Sequence, residues 1–292
     1  MQIIRHYIPG SEWLYFKLYT GYKSADTILL KYLQPLLFQL VESSQIQEYF
    51  FIRYSDPHFH IRLRLHIIEP HNYSTIFEQI HQTLSICLEN GLLWNIMCDT
   101  YHREIERYGQ QDMALSESVF CIDSKYLLTL LDAIHQTSDA EQVRWLSSFR
   151  LIDDLLEAGR YTLDDKCRLL ERSSTTFRSE FQCEKQPYSG QLNDKYRQWR
   201  HQIENIITHQ SASLARDSLY AARKQELYTL LASWNNTKRE WEIPKDQLMS
   251  SYLHMTMNRW FRSKNRLCEL VVYHCLDKYY KSVKARNLSI IE

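Results

Sequence analysis

The chain has 292 residues, 44% of them hydrophobic and 13% aromatic, which is enough apolar mass for one large or two modest domains and excludes a disordered chain. Its 35 basic and 35 acidic side chains cancel, so a globally basic nucleic-acid binder is excluded while a local anion site stays open.

The opening "MQIIRHYIPGSEW" has no charged stretch leading into an apolar run, so no signal peptide is expected. No segment reaches the ~18 uninterrupted apolar residues of a membrane span, and a cytoplasmic protein is expected. "WLYFKLYTG" (13–21) alternates aromatic and polar residues like a strand and stops at Gly21. Residues 24–43 have helical spacing, with Ser24 or Asp26 as the cap. "EYFFIRY" (48–54) is β-rich and ends at the turn signal "SDP"; with residues 58–68 it predicts a hairpin. A helix is expected over 72–90, then one or two strands over 92–109, broken at Gly91 and Gly109. From about Met113 the spacing turns to 3.6, predicting helices over 113–136, 139–158, 162–180, 191–211, 214–233 and 246–285, with loops over 182–190 and 235–244. The fold class is α+β: a mainly antiparallel sheet with flanking helices over 1–112, and a mostly helical part over 113–292. Seven cysteines, none in a CxxC pair, read as buried free thiols rather than a disulfide framework or a zinc finger.

Three stretches carry residues suited to chemistry. "HFHIRLRLHI" (58–67) splits with period two into Phe59, Ile61, Leu63, Leu65 and Ile67 on one face and His58, His60, Arg62, Arg64 and His66 on the other. An ordinary solvated strand face is the plain alternative. Surface faces usually mix charge signs, however, and no acid sits among these five. Arginines two apart on one face suit a carboxylate or a phosphate. A metal held by His58, His60 and His66 is the weaker reading, because the interleaved guanidiniums repel a cation. In "YHREIERYG" (101–109), a strand puts Arg103 and Arg107 on one face, whereas a helical bend before Gly109 puts Glu104 and Arg107 on one side at i, i+3. In "SSYLHMTMNRW" (250–260), a helix lines up Ser251, His254, Asn258 and Arg262, with Arg259 one step round. There a histidine bonded by Asn258 and near a cation is a neutral base; a buried histidine satisfied by helix neighbours is the alternative. No Gly-rich phosphate loop, HExxH or GxSxG occurs.

Together these stretches resemble the elimination domain of class I lantibiotic dehydratases, also found in thiopeptide-type bacteriocin biosynthesis proteins. "WLYFKLYTGYKSADTIL", "FFIRYSDPHFHIRLR", "YHREIERYG" followed by "CIDS" (121–124), and "YLHMTMNR" resemble the family's motifs in the same order over nearly the whole chain. The resemblance implies one elimination domain over 1–292, standing alone as in split dehydratases. Such domains expel glutamate from glutamylated Ser and Thr of a precursor peptide, leaving dehydroalanine or dehydrobutyrine, after a separate protein has glutamylated the peptide from glutamyl-tRNA. It places the functional residues at Arg62, Arg64, Glu104, Arg107 and His254, with Arg53, His60, Asn258 and Arg259 as substrate-binding neighbours. Gln110 stands where the family has a second glycine, which bears on the turn beside Arg107. The implied chemistry needs no metal or redox cofactor, and direct nucleic-acid contact is not expected. Full-length members commonly pair, which points to a homodimer. Two other functions fit the same fold: thiopeptide pyridine synthesis by a formal [4+2] cycloaddition, and non-catalytic binding of the precursor peptide.

Overall fold

A computed structural model describes residues 4–183, 188–208, 213–235 and 240–288. The chain divides into two compact units, Met1–Asp132 and Ala133–Glu292. The loops expected over 182–190 and 235–244, and the end of the helix expected over 191–211, lie in part outside the described residues.

The first unit is built on a four-stranded antiparallel sheet. Its strands are β2 (Trp13–Thr20), β3 (Ile46–Ser55), β4 (Phe59–Ile67) and β5 (Leu93–Cys98), in the order β3-β4-β2-β5. Strands β1 (His6–Tyr7) and β6 (Tyr101–His102) form a separate two-stranded ribbon. The expected hairpin is present: β3 and β4 pair from Ser55↔Phe59 down to Ile46↔Ile67. Period-two alternation gives the sheet two unlike faces. One face carries Leu14, Phe16 and Leu18 of β2, Phe51 of β3, and Ile61, Leu63 and Leu65 of β4, all in one buried cluster with Ala25, Ile28, Leu37, Ile76, Ile80 and Leu84 from the helices that cover it. Each such aliphatic side chain taken out of water contributes about 1.5–3 kcal/mol.

The helix expected over 24–43 begins earlier and changes pitch. It runs as α1 (Tyr22–Thr27), a π-helical stretch over Ile28–Leu33, and α2 (Gln34–Glu42). Pro35 has no N–H for the carbonyl four residues back, so the helix widens ahead of it. Neither Ser24 nor Asp26 caps it. The cap residue is Gly21, and Asp26 is turned inward. The next long helix, α3 (Tyr73–Glu89), lies within the expected span. After β6 the chain makes one helical turn, α4 (Ile105–Tyr108), and then α5 (Met113–His135).

The second unit is helical: α6 (Ala140–Ala158), α7 (Leu163–Glu180), α8 (Tyr188–Ile207), α9 (Leu214–Leu230), α10 (Lys245–Trp260) and α11 (Asn265–Leu288). Helix α7 starts where the sequence predicts, because Thr162 and Asp165 form a capping box: the Thr162 hydroxyl accepts from the Asp165 N–H at 3.2 Å, and the Asp165 carboxylate accepts from the Thr162 N–H at 3.1 Å. The single helix expected over 246–285 is instead two. Phe261 leaves α10 in an extended conformation, and Lys264 takes a left-handed φ of 53° before α11 begins. No Gly or Pro marks that break, which is why helical periodicity ran through it.

The α+β class and the split between sheet and helices follow the sequence. All seven cysteines are free; Cys98 is exposed and Cys268 half-buried, so the expectation of buried thiols holds for the other five. Among the described residues no helix is long and apolar enough to cross a membrane.

One buried group in α11 gives the second unit a pH dependence. His274 is buried with Asn193 as its neighbour at 3.2 Å, and burial, helped by Lys278, Arg178 and Lys281, pushes its ring down to about 4. An unfolded histidine titrates near about 6.5. Between those values the unfolded chain binds a proton that the folded chain refuses, so stability falls as pH drops through that window. Thermal melts from pH 7 to pH 4 are expected to show this loss, and His274→Gln to flatten it.

Candidate functional site

The other face of the sheet is where the cations sit. The register places Tyr19, Lys17, Tyr15 and Trp13 of β2 opposite His60, Arg62, Arg64 and His66 of β4. It places Tyr54, Ile52, Phe50 and Glu48 of β3 on the other flank of the same row. The sequence left open a solvated polar face. Instead His60 is 1% and Arg64 6% exposed, because aromatic side chains from both neighbouring strands, and Tyr101 of β6, close around the row.

Arg64 is held by rings. Its guanidinium carbon lies 4.6 Å from the ring centres of Tyr15 and Tyr101 and 5.0 Å from that of Phe50. Its Nε is buried and has no hydrogen-bond partner, and no carboxylate of the described residues pairs with it. Cation–π attraction offsets part of the cost of burying this charge, about 0.5–2 kcal/mol per ring; the guanidinium donors remain free to meet an anion. The cage is itself fixed. The Tyr101 hydroxyl donates to Glu117 at 2.7 Å, and Glu117 takes two bonds from Arg103, at 2.8 and 2.5 Å. Burial pushes the Tyr15 phenol up, against the pull of Arg64, Arg62 and Lys17, so it stays neutral.

Arg62 stacks on Tyr54, its guanidinium 3.5 Å from the ring centre, and donates from Nε to His60 Nε2 at 3.1 Å. The other ring nitrogen of His60 lies 2.8 Å from the carbonyl of His58. An imidazole that accepts at Nε2 must donate at Nδ1, so His60 is neutral here. Burial, followed by the cations Arg62 and Lys17, also lowers its pKa. His60 therefore orients Arg62. Lys17, opposite Arg62, is tied to Asp99 at 2.5 Å. His66 stacks on Trp13 at 4.6 Å between Glu12 and Glu48, each 3.7 Å away, so it ends the row against a ring and two acids, with its buried Nδ1 making no hydrogen bond. His58 is exposed and meets the edge of Trp94.

The structure does not bring Arg53 to this face. Arg53 pairs in register with Ile61, points to the apolar side, and forms a buried ion pair with Asp26 at 2.6 Å. Glu104 and Arg107 follow the helical alternative rather than the strand one. Glu104 precedes α4, and its carboxylate is 3.5 Å from Arg107. Only Gly109 of the family's glycine pair needs a left-handed backbone (φ 77°, ψ 156°); Gln110 is not among the residues of positive φ. The departure at Gln110 therefore leaves the turn intact, while Gly109→Ala is expected to cost about 1–3 kcal/mol, read as a lowered midpoint in urea unfolding.

In the second unit, α10 carries His254, Asn258 and Arg259. His254 Nδ1 lies 2.9 Å from Glu269 of α11, a partner the sequence reading did not include. Arg259 is fully buried and donates to the Met255 carbonyl at 2.9 Å; Asn258 is half-buried and its carbonyl accepts from Asn265 at 2.8 Å. Arg262 lies beyond the end of α10 and pairs with Glu141 at 2.7 Å, so it does not continue the expected helix face.

Besides Glu269, the sequence reading missed Lys17 and the rings of Tyr15, Tyr54 and Tyr101. The alternation of "WLYFKLYT" puts Lys17 with Tyr15 and Tyr19; nothing in the sequence says which residues of β4 they oppose. One acidic group, Asp153, Asp154 and Glu157, has carboxylate atoms within 4.8 Å of one another. Lys166 meets Asp153 at 2.6 Å, Arg150 meets Asp154 at 2.8 Å and Lys224 meets Glu157 at 2.5 Å, which makes it an ion-pair network. Burial still pushes Asp154 up to about 6.

A protein-family model described as lantibiotic biosynthesis dehydratase C-term matches residues 13–280. Subtilin biosynthesis protein SpaB of Bacillus subtilis is 26% identical over 282 residues, which is 94% of this chain and 26% of SpaB. The chain thus spans about a quarter of that relative's length. Among solved structures, the tRNA dependent lantibiotic dehydratase MibB from Microbispora sp. 107891 superposes with a TM-score of 0.74 at 20% identity, over 95% of this chain and 29% of MibB. The pyridine synthase TbtD from thiomuracin biosynthesis superposes with a TM-score of 0.65 at 11% identity, over 94% of this chain and 99% of TbtD. These two likenesses are of fold.

Proposed function

The chain belongs to the lantibiotic dehydratase C-terminal family, and from that membership we propose that it acts as the elimination module of a split dehydratase. Its substrate is a ribosomally made precursor peptide carrying a glutamyl ester on Ser or Thr. The ester is made by a separate glutamyl-tRNA-dependent protein, and the product is dehydroalanine or dehydrobutyrine. Residues 1–292 then work as one module, in the cytoplasm, with a second copy of the chain as a further partner.

The observation that carries this is Arg64, a buried guanidinium surrounded by three rings with its Nε unpartnered. A hydroxyl is a poor leaving group, whereas a glutamyl carboxylate is a good one. In the proposed reaction a base takes the Cα proton, the Cα=Cβ double bond forms, the Cβ–O ester bond breaks, and glutamate departs with that electron pair. Negative charge develops first on the amide next to Cα and then on the leaving carboxylate. Preorganised cations in a dry site stabilise such charge far better than water does. Arg64 and Arg62 supply them, with His60 orienting Arg62 and Lys17, itself tied to Asp99, opposite Arg62 on the neighbouring strand. Arg107, paired with Glu104, is a further carboxylate ligand, and Glu104 a counter-charge for the glutamate ammonium. His254 is the base that takes the Cα proton. Arg53 stands outside this set, since its guanidinium is committed to Asp26.

The purified chain mixed with a synthetic glutamylated peptide is expected to release glutamate and leave a dehydroamino acid, followed by mass spectrometry. Release of glutamate with the hydroxyl restored would mean hydrolysis and would overturn the reading. A second reading, pyridine synthesis, is favoured by the match to nearly the whole of TbtD. It predicts a six-membered ring from a peptide that already holds two dehydroalanines, and the same assay with that peptide separates the two.

A further inference from the structure

We propose that Glu269 is the positioning residue of the His254 base, holding the imidazole by Nδ1 so that Nε2 is left as the basic atom. The inference rests on the reading of His254 given above and deepens it.

The two residues are 15 apart and meet because the chain breaks between α10 and α11, at Phe261–Lys264. One Glu269 oxygen lies 2.9 Å from His254 Nδ1; the other accepts from the Tyr273 hydroxyl at 3.2 Å. Glu269 is 0% exposed, whereas the His254 side chain keeps 26% of its surface open. Among the described residues no Lys or Arg pairs with Glu269, so its only charge partner is the imidazole. Burial and the Glu269 charge hold the Tyr273 phenol well above its ordinary range, so it donates and does not ionise.

The tautomer follows from chemistry. A carboxylate only accepts, so the proton it shares with a neutral imidazole sits on Nδ1. The lone pair is then on Nε2, where a substrate proton can be taken. When Nε2 becomes protonated, the imidazolium charge forms directly against a carboxylate that no other cation neutralises. A carboxylate buried for packing alone is a poor bargain, because a hydrophobic residue of the same size is as stable or more so. Positioning a base is a use that explains it.

Glu269→Gln tests this, since the amide NH₂ can face Nδ1 and favour the opposite tautomer. Elimination is expected to lose about 10²-fold or more in kcat while KM stays within about 3-fold. Glu269→Asp is expected to recover part of kcat, and Tyr273→Phe to lose less than Glu269→Gln. ¹⁵N NMR of the wild-type imidazole is expected to show Nδ1–H, changed or mixed in Glu269→Gln. A Glu269→Gln variant with kcat within about 3-fold of wild type, or a wild-type His254 protonated on Nε2 alone, would overturn the proposal. If wild type fails to eliminate at all, the functional reading is at fault, and the NMR arm still decides the tautomer. If Glu269→Gln does not fold, Tyr273→Phe and the wild-type spectrum decide.

Discussion

Arg64→Met is expected to leave the protein as stable as the parent, or more so, while elimination falls by about 10²–10³-fold. The two halves of that result have one cause. Arg64 is 6% exposed, surrounded by Tyr15, Phe50 and Tyr101, and among the described residues no carboxylate pairs with it to offset the loss of water. Replacing a buried, poorly paired charge by an apolar residue of similar length is often neutral or stabilising. Methionine fits the same narrow space and its sulfur sits well against ring edges. What the variant lacks is the cation that meets the glutamyl carboxylate as it leaves. Arg64→Lys separates charge from shape: it keeps the charge but not the flat group that packs against two tyrosine rings, and a loss of at least about tenfold is expected. Thermal melts and turnover of glutamylated peptide read the two quantities independently. An Arg64→Met variant that turns over at the wild-type rate sinks the assignment of Arg64, and a large drop in Tm would make the arginine structural.

The same residue shows what could be read from the chain and what could not. Period two along 58–67 gave the strand, its two faces and the identity of the cations, because side-chain direction in a strand is set locally. It did not give their burial. Arg64 is enclosed by Tyr15 from one neighbouring strand, Phe50 from another and Tyr101 from outside the sheet, and no local pattern encodes which strands will be neighbours. Arg53 failed for a related reason: it lies in the motif "FFIRY" but one residue out of phase with the cation row, so the pleat turns it to the opposite face and to Asp26. The i, i+3 geometry of Glu104 and Arg107 was legible as one of two alternatives, and Gly109 with its left-handed φ ends the turn that decides it. Helical spacing found α10 and its His254 but read straight through Phe261–Lys264, and so could not pair His254 with a residue beyond the break.

That pairing sets up the second large effect. His254→Asn is expected to cut kcat by about 10²–10⁴-fold, with little change in KM and a modest change in Tm. The asparagine amide nitrogen sits close to where Nδ1 does in histidine, so it can still donate to Glu269. Nothing then occupies the position of Nε2, so the base alone is removed. His254→Ala removes the donor as well and leaves Glu269, fully buried, with only the Tyr273 hydroxyl. An uncompensated buried carboxylate typically costs about 3–5 kcal/mol, and the Ala variant is therefore expected to melt well below the Asn variant while being no less impaired in turnover. The gap in stability between the two variants measures the bond to Glu269, and their shared deficit in kcat measures the base. Equal melting temperatures would mean that Glu269 finds water or a proton when its partner is cut away, and that the carboxylate is held by its surroundings rather than by the imidazole. Wild-type turnover in His254→Asn would move the proton transfer to another residue, because no asparagine can accept a proton at neutral pH.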